Sequence, residues 1–309
     1  MEFNHVSVLK DESIIGLNII PNGVYVDCTL GGGGHSLEIA KRLENGKLIC
    51  IDKDDDALKY AKEKLGEYSK NIIFVKGNFV DIDKILDELN IDKVNGILVD
   101  LGVSSYQLDT KARGFSFKQD ARLDMRMDQS QKLDAEYVMN NYSENELSRI
   151  LYTYGEEKNA RQIARKIVKI REKKPIVSTF ELRDIIISSY PPKFQNKASL
   201  CNKAFQAIRI EVNNELKDLE IAIEKMLSRL EKCGRICIIT FHPLEDRIVK
   251  SAFKLHSTDC ICPPRIPKCI CNHKADIRLI TRHPVVPSEN EMANNSRSAS
   301  AKLRIAEKL

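Results

Sequence analysis

Apolar and polar positions between residues 24 and 102 switch back and forth between two periods. Four short runs, VYVDCT (24–29), KLICIDKD (47–54), IIFVKGN (72–78) and VNGILVDLG (94–102), are apolar and β-branched enough to be buried strands. Between them HSLEIAKRL, DDALKYAKEKL and FVDIDKILDELN repeat their apolar residues every three or four positions, as amphipathic helices do. Short strands alternating with helices predict an α/β fold, a parallel sheet with helices on both faces.

After Gly102 the rhythm stops. GFSFKQDARLDMRMDQSQ (114–131) is polar and irregular, and the chain beyond it reads as loop and then helix. Ser143 with Glu146 and Ser178 with Glu181 fit the capping box that starts a helix, and Tyr190-Pro191-Pro192 stops one. Near residue 204 a long amphipathic helix is expected, closed by Gly234 as its C-cap. RICIITF (235–241), a helical LEDRIVKSAFKLH, DIRLITR (276–282) and AKLRIAEKL (301–309) then resume the α/β alternation. The expected organisation is one sheet, built from 1–104 and 204–309, interrupted by a helical insertion over 105–203.

A chain of 309 residues, 42% apolar and 30% charged, can bury a sizeable core. No apolar run approaches the ~18 residues of a membrane span. The N-terminal MEFNHVSVLKDES lacks a charged-then-apolar leader, so no membrane contact and a cytoplasmic location are expected. Five of the nine cysteines (Cys28, Cys50, Cys201, Cys233, Cys237) stand singly in apolar surroundings, which argues against a disulfide framework. The excess of 49 Lys and Arg over 44 Asp and Glu, net +5, permits a nucleic-acid partner without requiring one.

Candidate chemistry starts at TLGGGGHS (29–36). Four consecutive glycines lose much conformational entropy on folding, so an idle turn explains them poorly. No lysine follows them, which removes a P-loop; Gly31-x-Gly33 opens a dinucleotide fingerprint whose third glycine position holds Ser36. Asp27, ending the first strand, would repel a pyrophosphate and attract a ligand carrying ammonium and sulfonium charges, as S-adenosylmethionine does. Asp52, ending the second strand, suits hydrogen bonds to the ribose hydroxyls of either adenine cofactor.

DCTLGGGGHS (27–36), DLGVSSYQLD (100–109), RGFSF (113–117), LDMRMD (123–128), YGEE (154–157), FQAIRIEVNNEL (205–216), FHPLEDRIVK (241–250) and SAKLRIAEKL follow one another over nearly the whole chain. In these motifs the chain resembles the bacterial small-subunit ribosomal RNA cytosine-N4 methyltransferases of the RsmH or MraW type. The resemblance implies a class I S-adenosylmethionine methyltransferase core, Rossmann-like with seven mostly parallel strands, and a helical insertion that recognises substrate. It implies methyl transfer to the exocyclic amine of a cytidine in the decoding region of the small ribosomal subunit RNA. It also implies that the cofactor lies against Gly33, Gly34 and His35, with Asp52 on the ribose, Phe79 beside the adenine, and Asp100 and Gln107 lining the site.

Many methyltransferases acting on base amines carry an Asp/Asn-Pro-Pro-aromatic tetrad after the fourth strand. Here the position reads Asp100-Leu101-Gly102-Val103, so the acid is kept and the stacking aromatic must come from elsewhere, Phe115 and Phe117 being the choice. Asp100 is the expected acceptor for the amine N–H, with His242 a second candidate whose alternative is a structural histidine. Pro243 stands where the family usually shows Ser. A DNA amino-methyltransferase and a silent RNA-binding assembly factor on the same fold remain open as alternatives, and a homodimer is compatible with each.

Two further features stand out. EEKNARQIARKIVKIREKK (156–174) holds eight Lys/Arg against three Glu, and Ile163, Ile167 and Ile170 share one helical face, so Arg161, Arg165, Lys169 and Lys173 form an outward basic ridge suited to RNA phosphates or simply to solvent. Arg122 and Arg126 are expected nearer the target nucleotide. Cys260-x-Cys262 and Cys269-x-Cys271 carry either a zinc site or a surface loop of reduced thiols stiffened by Pro263, Pro264 and Pro267.

Overall fold

The computed structural model describes residues 7–195, 197–263 and 269–309; Pro264 and Pro267 of the cysteine loop, and the first six residues of the N-terminal segment, lie outside the described residues. The chain divides into two compact units, one formed by Met1–Gly102 with Leu216–Leu309 and the other by Val103–Glu215.

Seven strands form the sheet of the first unit: β1 (Val24–Asp27), β2 (Lys47–Asp52), β3 (Ile72–Lys76), β4 (Val94–Asp100), β5 (Leu230–Thr240), β6 (Ile277–Leu279) and β7 (Lys302–Lys308). Their order is β3-β2-β1-β4-β5-β7-β6, parallel except that β7 runs antiparallel between β5 and β6. Helices α1 (Lys10–Leu17), α2 (Gly34–Ala40), α3 (Asp55–Lys64) and α4 (Ile82–Glu88) precede the second unit's α5 (Ser105–Asp109), α6 (Ala135–Asn141), α7 (Glu144–Gly155), α8 (Ala160–Arg171), α9 (Thr179–Ser188) and α10 (Cys201–Asn213). After them come α11 (Glu215–Arg229), α12 (Pro243–His256) and α13 (Glu289–Asn294).

The strand period of two sorts side chains between the two faces of the sheet. Tyr25, Leu48, Cys50, Leu98 and Cys237 pack under α1, α2 and α3. Their neighbours Val26, Ile49, Ile97, Val99 and Ile236 pack under α4, α11 and α12. Continuous apolar runs in the sequence reflect burial on both faces.

The expected helix from 204 to 234 is two helices. Asn214 takes a left-handed φ of 53°, a conformation Asn tolerates, and separates α10 from α11. The second unit accordingly extends to Glu215, past the boundary at 203 read from sequence, because α10 packs its Ala204, Phe205 and Ile208 into that unit's core. Gly234 is not a helix cap but lies within β5, where the register against β4 shifts.

In the second unit both capping boxes form, Ser143 with Glu146 and Ser178 with Glu181. The irregular stretch between α5 and α6 is fixed by buried polar groups. Arg113 donates to the carbonyls of Arg126 and Met127, both at 2.9 Å, and Asn213 accepts from Met127 N and donates to Met125 O, both at 2.8 Å. Gly114 permits this crossing: its φ is 68° and a Cβ there would lie 2.3 Å from the Arg122 carbonyl oxygen. Gly114→Ala should therefore destabilise the protein by roughly 2–4 kcal/mol, read as a lowered thermal midpoint. Gly66→Ala, whose added Cβ meets nothing within 4 Å, should leave the midpoint nearly unchanged; equal effects would contradict this reading.

Candidate active site

Asp52, Asp27 and Asp100 end β2, β1 and β4, three adjacent strands. The connections of an open α/β sheet diverge here, and ligands bind at the carboxyl ends of such strands. The loop leaving β1 is tied to both neighbouring strands: Cys28 N donates to Leu98 O (2.9 Å) and Leu30 N to Ile51 O (3.1 Å). Asp52 then holds the glycines, Oδ2 accepting from Gly31 N at 2.8 Å while Oδ1 accepts from Asp54 N at 2.9 Å. Gly33 takes a φ of 68° as the N-cap of α2, and a Cβ on Gly34 would sit 2.0 Å from Ser7 Oγ.

Asp27 is 1% exposed; its carboxylate accepts from Ser36 Oγ (2.6 Å) and Thr29 N (3.1 Å). Thr29 Oγ1 in turn accepts from Asp100 N at 2.6 Å. The Asp100 carboxyl lies against His35, whose Nε2–H donates to Val8 O (3.1 Å), leaving Nδ1 3.7 Å from Asp100 Oδ2, too far for a direct hydrogen bond. Asp100 Oδ1 is buried and, among the described residues, has no hydrogen-bond partner.

Burial pushes the Asp27 and Asp52 carboxyls up to about 6, against the hydrogen bonds that favour ionisation. Asp100 is raised well above the ordinary carboxylate range by burial first, then by the charges of Asp27 and Glu245. Among the described residues no Lys or Arg forms an ion pair with any of the three. A desolvated acidic site with an orphaned acceptor fits S-adenosylmethionine, which brings positive charge, and not a pyrophosphate.

The remaining expected site residues fall in several places. Phe79 opens the turn after β3 and is buried in the sheet core, with Lys53 Nζ 5.9 Å from its ring centroid. His242 is the N-cap of α12: Nδ1 accepts from Glu245 N at 3.4 Å, so the ring is built into a cap. Its Nε2 lies 3.0 Å from Glu245 Oε1 without hydrogen-bond geometry and is, among the described residues, buried without a hydrogen-bond partner. Gln107 belongs to the second unit, buried and serving the Ser104 capping box through Oε1. Phe115 is buried in that unit's core and Phe117 packs edge-on against Phe205 at 5.3 Å, so both rings support the fold there.

The two arginines expected near the nucleotide are engaged inside the second unit. Arg122 pairs with Asp124, Asp134 and Glu136, while Arg126 pairs with Asp124 and donates to the carbonyls of Gln129 and Gln131. Interspersed Asp residues at 124 and 134 neutralise a charge that looked free in the one-dimensional sequence. Arg161, Arg165 and Lys169 are exposed along α8, over buried Ile163 and Ile167, and Arg165 touches Glu144 at 3.6 Å. Lys173 is exposed too but lies in the turn past the end of α8, so the expected ridge is three helical cations and one beyond them. Sequence reading missed Thr29, Ser36 and Glu245. The first two flank the glycines, and the spacing of His242 and Glu245 is itself that of a capping box.

A sheet with β7 reversed between β5 and β6, a glycine loop after β1 and acids ending β1, β2 and β4 define a class I S-adenosylmethionine-dependent methyltransferase. The chain matches the MraW methylase family over residues 2–309 and belongs to that family. It is 56% identical over 310 residues to the ribosomal RNA small subunit methyltransferase H of Clostridium botulinum and 53% identical over 311 residues to that of Finegoldia magna, each match covering 100% of both chains. Solved structures are more distant. An rRNA methylase from Streptococcus thermophilus matches 97% of this chain and 94% of its own at 11% identity and a TM-score of 0.42, so the family assignment rests on the sequence relatives.

The raised carboxyls give a pH dependence. Since folding favours their protonated forms, the associated stability is complete below pH ~3.9 and is lost as pH rises through about 6. A cationic ligand favours the ionised forms. S-adenosylmethionine affinity should therefore strengthen between about pH 5 and about pH 7, with proton release on binding. Calorimetry in buffers of different ionisation enthalpy measures both; an affinity that is flat or weakens over this range would contradict the assignment.

Proposed function

We propose that the chain methylates N4 of a cytidine in small-subunit ribosomal RNA, acting in the cytoplasm. The observation that carries this reading is Oδ1 of Asp100 at the end of β4, buried and without a hydrogen-bond partner among the described residues. S-adenosylmethionine, bound against Gly33, Gly34, His35 and Asp52, supplies a methyl group on a positively charged sulfur. The chain's own work is to hold the acceptor amine in line and to take its proton.

Asp100 suits that task. Its backbone N–H is fixed by Thr29, its second oxygen faces His35, and an ionised Oδ1 has room only for a donor. An exocyclic amine has a delocalised lone pair, so orientation and a hydrogen-bond acceptor for its N–H lower the barrier as the amine nitrogen gains positive charge. His242 is the weaker candidate because its ring serves the α12 cap. A silent RNA-binding factor gains nothing from a desolvated carboxyl of this kind. Small-subunit RNA as substrate is supported by the names of the relatives, and the exposed cations of α8 suit its phosphates.

Asp100→Ala should lower methyl-transfer turnover by about 10²–10⁴ while S-adenosylmethionine still binds. Turnover near that of the unaltered chain, with cofactor binding intact, would contradict the acceptor role. Replacing Arg161, Arg165, Lys169 and Lys173 by Ala should flatten the dependence of log affinity on log salt by about 0.7–0.9 for each phosphate no longer neutralised. An unchanged slope would remove the ridge from the RNA interface.

A further inference from the structure

The connection from α12 to β6, residues 257–276, has no helix or strand among its described residues. Connections of about this length are uncommon in compact domains and usually carry a function or serve as linkers. Its base is clamped by polar contacts. His256, at the end of α12, bonds Asp276 through Nδ1 (2.8 Å) and Glu224 through Nε2 (3.0 Å), and Lys308 holds the other oxygen of Asp276 at 2.7 Å. His273 Nε2 bonds Leu255 O at 2.9 Å, and Ala275 N bonds Asp259 Oδ1 at 3.2 Å.

Farther out the chain brings four thiols together. The Sγ atoms of Cys260, Cys262, Cys269 and Cys271 all lie within 4.8 Å of one another. Cys269 Sγ is 3.5 Å from Cys260, 3.9 Å from Cys262 and 3.5 Å from Cys271, and Cys260 to Cys271 is 3.8 Å. Zinc bound by four thiolates at about 2.3 Å requires a tetrahedron with edges of about 3.8 Å. The observed separations scatter around that edge. No apolar burial accounts for the convergence, since Cys260 and Cys269 are exposed, as are the intervening Ile261 and Ile270. Free thiols ordinarily gather in cores, not at a solvent-facing loop.

We propose that Cys260, Cys262, Cys269 and Cys271 bind one zinc ion as a closed, structural tetrathiolate site that clips the loop between α12 and β6. Four protein ligands leave no open position, so the ion takes no part in methyl transfer. His273 is held by Leu255 and stays outside the set. Metal binding deprotonates the thiols and closes the loop, so its free energy becomes folding free energy of this region.

The test is the zinc content of the full chain purified under reducing conditions, measured by mass spectrometry of the elements, beside Cys260→Ser/Cys271→Ser and the control Cys233→Ser. About one zinc per chain in the unaltered protein and the control, and none in the double variant, is the expected result. Trace metal in the unaltered chain, equal zinc in the double variant, or disulfides among these four cysteines in place of metal would overturn the proposal. A second measurement does not depend on the double variant folding: cobalt(II) added to the metal-stripped unaltered chain should give the visible bands of a tetrahedral tetrathiolate, saturating at about one equivalent. Failure of those bands to appear would overturn it as well.

Discussion

Three carboxylates set side by side at the ends of β2, β1 and β4 are the constraint around which the first unit is organised. Each is drawn out of water, and no Lys or Arg among the described residues neutralises them. Raising one carboxyl from 3.8 to about 6, as for Asp27, corresponds to about 3 kcal/mol of unfavourable ionisation at neutral pH. A fold keeps such an arrangement because a bound cation relieves it. The cofactor's positive charge is what the free site lacks, and the orphaned oxygen of Asp100 is what the acceptor amine can satisfy.

The scaffold makes this tension sustainable by fixing each acid through a different backbone amide. Asp52 caps the glycine turn through Gly31 N, Asp27 is held by Thr29 N and Ser36, and Asp100 is placed by its own N–H on Thr29 Oγ1. Sheet burial on both faces, under α1–α3 on one side and α4, α11 and α12 on the other, keeps those strand ends rigid. The second unit solves a separate problem, how to order an irregular polar stretch. Arg113, Arg126 and Asn213 do so by donating to and accepting from the backbone.

Much of the fold was legible in the sequence because its signals are local. All seven strands fall on apolar runs read from the sequence, although β5 starts at Leu230, inside the stretch that reads as helix, and the Ser143 and Ser178 capping boxes form where the spacing put them. The break at Asn214 was hidden, since α10 and α11 both carry apolar periodicity and only a single left-handed residue separates them. At the site, the acids and glycines could be read from their positions at strand ends. The surroundings of Phe115, Phe117, Arg122 and Arg126 could not, because burial and ion pairing are set by residues distant in the chain, such as Phe205 and Asp134. A cap at His242 was visible in principle, with Glu245 three residues on, but histidine is an unusual capping residue and its chemistry drew attention first.

The most direct measurement is incubation of the full chain with S-adenosylmethionine labelled in its methyl group and unmethylated small ribosomal subunits, followed by nuclease digestion and mass spectrometry of the nucleosides. The account predicts label in N4-methylcytidine at a single position of the small-subunit RNA. Label on a ring carbon or on another base, or transfer to DNA in preference to the subunit, would contradict it.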